Sequence, residues 1–478
     1  MAVLGSLKTF KGGHYFGLFE GTPRGKRLSQ APLPKRAIVF LRQGFSAEVA
    51  PLVQVGDRVK TGQIIGKNDP NPQKPSTPVH ATISGRVAKI EKLPHPLDGR
   101  PTLAVTIESD GQDAWQLLER PTLNYERLSA EELGKILYDA GVTSGGQAGF
   151  PTAFATAYGT PERIRYLVIN AIETEPYFEA TDQLLYEEFD KFVNGMKILR
   201  QALGNVQVHI GLGYNKPRIY EELITRLEYY DWCTVHQLLP KYPQGDDAVL
   251  VRTLLDLLVP QGGYVTDIQC VVQDVQQCVA AYEAVVEGKP FVERVISVAG
   301  SAVKEPKNLR VRIGTPISEL LDNNLSAARA RVILGSVLRG RDQQSLDVPV
   351  LKETPAVIAL KEAQPELMPV AGPGFDRDSF TGAYISLPWL KFKRATTSLN
   401  GNQRACVRCG YCLDVCPQNL FPAMLGEYCA HDLVSNALEI DLMACIECGL
   451  CAYVCPSKIP LLEQIRKGKR QALEEVSA

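Results

Sequence analysis

Eight cysteines in two runs carry the chemistry of this chain. The first run is Cys406-x-x-Cys409-x-x-Cys412-x-x-x-Cys416-Pro417, and the second is Cys445-x-x-Cys448-x-x-Cys451-x-x-x-Cys455-Pro456. Soft thiolates select iron–sulfur clusters or zinc. Zinc usually takes two separated pairs of ligands. Three cysteines at two-residue gaps with a fourth before proline is instead the spacing that holds paired [4Fe–4S] clusters, the fourth thiolate of each run reaching across to the other cluster. The expected ligand sets are therefore Cys406, Cys409, Cys412 and Cys455 for one cluster, and Cys445, Cys448, Cys451 and Cys416 for the other. Such a chain moves electrons one at a time.

Something must hold these ligands and feed them. At 478 residues the chain has room for about three domains of ~150 residues. It is 45% hydrophobic and 22% charged, an ordinary globular composition. A net charge of −1 gives no bulk attraction to nucleic acid or to an anionic membrane. No apolar stretch reaches the ~18 residues of a spanning helix, and the N-terminus lacks the apolar core of a secretory signal. The expected setting is cytoplasmic, with membrane contact only through partners. Cys233, Cys270, Cys278 and Cys429 remain outside the runs and read as small buried hydrophobes in a reducing compartment. Cys429 lies between the runs, and its spacing assigns it no role.

The pattern changes several times along the chain. Residues 1–30 are rich in Gly, Lys and Arg and read as irregular. Residues 31–120 read as short strands broken by Gly-containing turns at Gly56-Asp57 and Ser84-Gly85, a hairpin-built sandwich that looks like a biotinyl/lipoyl-type domain. His80-Ala81 occupies the segment where such domains carry a modified lysine, so no lipoylation or biotinylation is expected, and His80 reads as structural. Residues 129–289 alternate helical stretches (Ala130–Asp139, Thr181–Leu203) with apolar runs at Tyr166–Asn170, Val206–Gly211 and Ile268–Gln273. That is the pattern of a mainly parallel α/β sheet, which binds ligands beyond the carboxyl ends of its strands. Residues 290–345 read as a small β-rich domain and 346–395 as a Pro/Gly-rich connector. Residues 396–465 form the cluster domain, with a helix over Phe421–Leu438, and residues 466–478 read as a charged, frayed tail.

Three segments of the α/β region fall where a ligand should lie. The turn Gly141-Val-Thr-Ser-Gly-Gly-Gln-Ala-Gly-Phe-Pro-Thr152 can bring backbone N–H groups to a phosphate or a flat ring. Asn170-Ala-Ile-Glu-Thr-Glu-Pro-Tyr177 puts an amide and two carboxylates after an apolar strand. Lys241-Tyr-Pro-Gln-Gly-Asp-Asp247 precedes Pro260-Gln-Gly-Gly-Tyr264. Together with the cysteine runs, and with Pro32–Arg36, Val285–Pro290, Arg312–Pro316 and Tyr453–Pro460, these segments resemble the RnfC-like family over nearly the whole chain. Members of that family belong to the Rnf-type ion-translocating ferredoxin:NAD oxidoreductase complex.

The resemblance implies a multidomain α/β architecture. Its parts are a lipoyl-like β sandwich, an α/β domain like the flavin subunit of respiratory complex I, a soluble-ligand-binding β-grasp module, and a C-terminal two-cluster ferredoxin-like helical domain. It further implies FMN and NAD(H), held by Gly145, Gly146, Gly149, Phe150, Asn170, Glu173 and Glu175. The implied role is a peripheral electron-transfer subunit of an oxidoreductase and translocase complex on the inner face of the cell membrane. Its partners would be the other complex subunits and a ferredoxin, flavoprotein or cytochrome. The alternatives are a soluble electron-input subunit for a methylene-tetrahydrofolate or cobalamin reductase assembly, and a relay with a degenerate flavin site.

The chain departs from the family pattern in one physical direction. Ser144 and Gln147 replace glycines of the flavin loop, and Gln147 puts a side chain where backbone should approach the ring. Ala153-Phe-Ala-Thr-Ala157 lacks the basic residue that commonly follows Pro-Thr. Asp274 replaces an asparagine and Gln276 a glycine, so a negative charge stands near a dianionic ligand.

Overall fold

The computed structural model describes residues 7–44, 46–69, 75–119, 122–143, 164–327, 330–361 and 403–477. After a short strand β1 (Leu28–Gln30), strands β2 (Arg36–Phe40), β3 (Arg58–Val59), β4 (Ile64–Gly66), β5 (Val79–His80), β6 (Gly85–Pro94) and β7 (Pro101–Ser109) build the first module. Its sheet runs β2-β7-β6-β3, with β4 and β5 paired beside it. The apolar members of these strands, including Val39, Ile65, Val87, Val105 and Ile107, point into one core. His80 is buried, its Nε2 2.9 Å from the Asp139 carbonyl. Burial holds its pKa down to about 3, so the ring is neutral and fastens this module to the next.

The second module contains α1 (Ala130–Asp139), β8 (Tyr166–Ala171), α2 (Ala180–Glu187), α3 (Phe189–Ala202), β9 (Gln207–Gly213), α4 (Pro217–Leu227), β10 (Cys233–Leu238), α5 (Asp247–Leu255), β11 (Cys270–Asp274) and α6 (Val275–Tyr282). Helix α1 opens on a capping box between Ser129 and Glu132, a reciprocal pair that satisfies two orphan N–H groups. The helical stretch expected over Thr181–Leu203 is two helices that meet at Glu188. Helices α3 and α6 cross so closely that a Cβ on Gly195 would lie 1.7 Å from the Cys278 carbonyl oxygen. All four strands are parallel, in the order β10-β9-β8-β11. The chain leaves β8 toward β9 on one side and returns to β11 on the other. The carboxyl ends of β8 and β11, where Asn170 and Asp274 pair in register, are therefore the topological switch point, the favoured ligand crevice of such a sheet.

Strands β12 (Glu293–Ala299) and β13 (Lys307–Arg312), helix α7 (Ile317–Leu321), and strands β14 (Ala330–Leu334), β15 (Arg341–Asp342) and β16 (Ala356–Lys361) form the third module. Its six-stranded sheet runs β1-β13-β12-β16-β14-β15. Two expectations are corrected here. Leu28–Gln30, placed in the irregular segment 1–30, pairs in parallel with Asn308–Arg310 as an edge strand. Ala356–Lys361, placed in the connector 346–395, is a fully integrated strand between β12 and β14, and its Val357, Ile358 and Ala359 are buried. The rest of that connector, from 362 to 395, lies outside the described residues.

The C-terminal module holds α8 (Tyr411–Asp414), α9 (Pro422–Ala430), α10 (Val434–Glu439), α11 (Leu450–Val454) and α12 (Leu461–Ser477). The helix expected over Phe421–Leu438 breaks between α9 and α10, at Asp432, which adopts a left-handed conformation. The frayed tail expected at 466–478 is likewise corrected: α12 continues to Ser477. Its Leu461, Leu462, Ile465 and Ala472 are buried and recur at helical spacing, a stripe that packs on α9. Cys429, on α9, is part of this core, and a Cβ on Gly468 would lie 2.2 Å from its Sγ.

Candidate functional site

Each cysteine run closes on a tight turn followed by one turn of helix. The two turns match in backbone. Arg408 and Glu447 are left-handed at φ 52° and 55°, Gly410 and Gly449 at 81° and 80°, and Asn419 and Lys458 at 53° and 54°. Helices α8 and α11 start directly after the two glycines. The module is thus a pseudo-twofold pair built from the repeated sequence.

The pairing brings the eight thiols to two cavities. One, of about 220 Å³, is walled by Cys406, Cys409, Cys412 and Cys455 with Val407, Leu413, Phe421 and Met424 around it. The other is walled by Cys416, Cys445, Cys448 and Cys451 with Leu420, Ile446, Leu450 and Ile465. It is tighter, about 20 Å³, so a group of cluster size there requires the thiol rotamers to swing outward. Among the described residues, no three His, Cys, Asp or Glu side chains close on one point as ligands of a single ion would. Four thiols set around an apolar cavity fit a cubane that brings its own inorganic sulfur. Burial pushes the Cys445 thiol up to about 11 and those of Cys448 and Cys451 higher still, so metal must displace their protons. Cys429 lines neither cavity.

The second cavity lies inward. Tyr242 Oη donates to the Cys448 carbonyl at 2.6 Å. Arg339 donates to Glu175 at 2.7 Å and reaches Asp246 at 3.3 Å, and Ser336 Oγ donates to the other Glu175 oxygen at 2.6 Å. From α12, Arg466 donates to the Arg339 carbonyl at 2.9 Å and to Glu447 at 2.8 Å, and Lys469 meets Glu447 at 2.9 Å. The N-terminal segment seals the same seam. Lys8 bridges to Leu238 and His14 to Tyr242. Gly13 N–H donates to the Val415 carbonyl at 2.9 Å, and Phe16 packs between Tyr242 and Tyr453. None of Tyr242, Ser336 and Arg339 carries a sequence signal of its role. They matter because three modules converge on them.

At the switch point of the parallel sheet, the candidate ligand residues have separate fates. Gly145, Gly146, Gly149 and Phe150 lie outside the described residues, as do Ser144 and Gln147. Asn170 spends its amide on the Gly245 carbonyl at 2.8 Å, and its Oδ1 accepts from the Ile172 N–H at 3.4 Å. Glu175 is committed to Arg339 and Ser336. Asp274 caps α6, accepting from the Gln277 N–H at 3.0 Å, with the Arg294 charge nearby opposing the burial that raises its pKa. Gln276 accepts from the Val295 N–H at 2.9 Å. The two substitutions at 274 and 276 therefore have structural partners. The cations at this edge are engaged too: Lys216 with Asp182, and Arg294 with the Lys352 carbonyl.

Glu173 stands half-buried at this edge, with the Thr181 hydroxyl donating to it. Burial, then Asp182, pushes its pKa up to about 8; burial and Asp246 raise Asp247 to about 7. A carboxyl with a raised folded-state pKa takes up a proton on folding, so its contribution falls as pH rises from its ordinary 4.5 through about 8. Glu173→Gln mimics the protonated acid. It is expected to match the parent near pH 4.5 and to exceed it by about 2 kcal/mol at pH 8, a figure trimmed for the water that reaches the group. Denaturant midpoints at the two pH values check this.

Family models match the chain in four places. They are the RnfC barrel sandwich hybrid domain at residues 8–112, the Nuo51 FMN-binding domain at 137–283, the NQRA C-terminal domain at 295–345 and a 4Fe-4S dicluster domain at 405–459. The RnfC protein of the proton-translocating ferredoxin:NAD(+) oxidoreductase complex of Clostridium ljungdahlii is 32% identical, over 91% of this chain and 87% of that protein. Its counterpart in the Na(+)-translocating complex of Acetobacterium woodii is 30% identical, over 97% of each. The RnfC protein of the ion-translocating oxidoreductase complex of Citrobacter koseri is 34% identical over 97% of this chain, which spans only 61% of that longer relative. A chain of an NAD+-reducing [NiFe]-hydrogenase superposes with a TM-score of 0.48 at 17% identity, covering 75% of this chain and 65% of its own.

Proposed function

The chain belongs to the RnfC family of ion-translocating ferredoxin:NAD(+) oxidoreductase complexes, and from that membership we propose that it is the peripheral electron-transfer subunit of such a complex. The observation that carries the reading is the make-up of the two cavities, each with three cysteines from one run and one from the other. In this reading Cys406, Cys409, Cys412 and Cys455 hold one [4Fe–4S] cluster, and Cys445, Cys448, Cys451 and Cys416 hold the second. The protein's own work is to fix these thiolates, exclude water with Leu420, Ile446, Leu450 and Ile465, and tie the inner set to the α/β module through Tyr242 and Arg339.

The α/β module is the input side. FMN, when bound, converts hydride pairs from NAD(H) into single electrons. In this reading Gly145, Gly146, Gly149 and Phe150 belong to its site, and Glu173 is the carboxyl at the sheet edge that would meet flavin or nicotinamide. Contact with the inner face of the membrane runs through the other complex subunits. Among the described residues no helix is long and apolar enough to cross a membrane.

The test is anaerobic purification with full iron loading, acid release of flavin, and titration with NADH. About eight irons per chain, near-stoichiometric FMN and bleaching of the cluster absorbance by NADH are expected. Eight irons without flavin and without bleaching would replace the NAD-linked input by a protein donor. Absence of iron would end the relay reading.

A further inference from the structure

We propose that the outer turn of the C-terminal module, around Arg408, is the docking surface for an acidic one-electron carrier protein. The proposal rests on the relay reading above and adds the place and chemistry of the outer contact.

The pseudo-twofold makes the two turns directly comparable. The inner turn, Ile446-Glu447-Cys448-Gly449, is fully received by this chain. A Cβ on Gly449 would lie 2.3 Å from the Leu338 carbonyl oxygen, Cys448 and Leu450 pack with Val337 and Leu338, and the Glu447 carboxylate is met by Arg466 and Lys469. The outer turn, Val407-Arg408-Cys409-Gly410, has the same backbone and, among the described residues, no such receiver. No described residue lies within 4 Å of a Cβ on Gly410. Cys406 and Cys409 are exposed. Val407 is 66% and Phe421 54% exposed, and Leu413 and Met424 extend the apolar patch.

The charge at the tip is reversed between the turns. Where the inner turn carries Glu447, paired with two cations, the outer turn carries Arg408. It is exposed, and no carboxylate among the described residues pairs with it. Arg404, four residues earlier in the chain, is exposed as well. An apolar centre with a cationic tip suits a partner with an apolar centre and a rim of carboxylates. A patch of this size fits a small, short-lived contact, as redox encounters require. One electron crosses per encounter: one protein is oxidised by one electron, the other is reduced by one, and no bond or proton changes place.

The experiment uses the full chain with both clusters loaded, reduced chemically and mixed in stopped flow with a purified, oxidised acidic ferredoxin. The parent rate should fall as salt rises. Arg408→Glu should lower the second-order rate about tenfold or more and invert the salt dependence. Phe421→Ser should lower the rate and keep the salt slope. Lys304→Glu, an exposed cation on the third module, should change neither. Iron content and cluster spectra of every variant come first. A parent without clusters sinks the relay reading. Intact clusters with an Arg408→Glu rate and salt slope like the parent overturn the docking face alone. A basic carrier reacting faster than the acidic one overturns it too. So does a rate that rises when residues 362–402 are replaced by a flexible linker, or self-association abolished by Phe421→Ser, since either puts another occupant on the face.

Discussion

The Cys406→Ala/Cys416→Ala double variant is expected to lose both clusters, although the two cysteines are neighbours in one run. Cys406 walls the outer cavity, and Cys416 walls the inner one with Cys445, Cys448 and Cys451. A cluster that loses one of four thiolates has an open corner, so each replacement should empty its own cavity. Each single variant should then retain about four irons per chain and the double variant close to none. The Cys406→Ala/Cys455→Ala double variant is the control. Both positions line the outer cavity, so about four irons should remain and the spectrum should match that of Cys406→Ala alone. If each run held its own cluster, the two outcomes would be exchanged. Iron content and the cluster signal of the reduced state read the result. Fold loss does not mimic it, because the two double variants remove the same number of thiols from the same module.

That test is available because the cysteine pattern is local. Spacing within each run was legible, and the repeat of the run announced the pseudo-twofold. Helix α1 was legible for a similar reason: Ser129 and Glu132 cap it, and an apolar stripe follows. The parallel strands appeared as apolar runs because both their faces are covered. What was not legible depends on distant pairing. Leu28–Gln30 is three residues long and becomes a strand only through partners 280 residues away in sequence. Ala356–Lys361 was hidden by the prolines around it, which argued for a connector. Helix α12 is a different failure. Its charges, Arg466, Lys467, Lys469 and Arg470, suggested a solvated tail, yet Leu461, Ile465 and Ala472 recur on one face and the signal was there to find. At the switch point, Asn170, Glu173 and Glu175 were picked out by their position after a strand. Position alone could not show that Glu175 faces Arg339, because that arginine comes from a different module.

Arg339 is where that missed partnership has its largest consequence. It sits between two acids, Glu175 at 2.7 Å and Asp246 at 3.3 Å, and its own carbonyl accepts from Arg466. Burial alone would push Arg339 down. The surrounding negative groups, Glu175 first, hold it well above the ordinary arginine range. Asp246 is the mirror case, raised by burial and pulled back chiefly by Arg339. Arg339→Leu keeps the apolar stem and removes the charge, leaving two carboxylates with no cation between them. Breaking a buried pair from one side costs about 3–5 kcal/mol, and that loss is expected in the denaturant midpoint. Adding Glu175→Gln should recover a substantial part, because one stranded charge is gone while Ser336 still has an oxygen to donate to. The pH dependence separates stranded charge from lost packing. Without Arg339, Asp246 loses the cation that pulls its folded-state pKa back, so that pKa rises further above its unfolded value, and the variant binds an extra proton on folding and loses stability as pH rises. Its deficit should therefore shrink toward pH 4 and be largest near pH 8. A deficit constant across that range would mean that Arg339 acts through its stem alone. In that case the ion pairs would contribute nothing to holding the inner cluster turn against the α/β module.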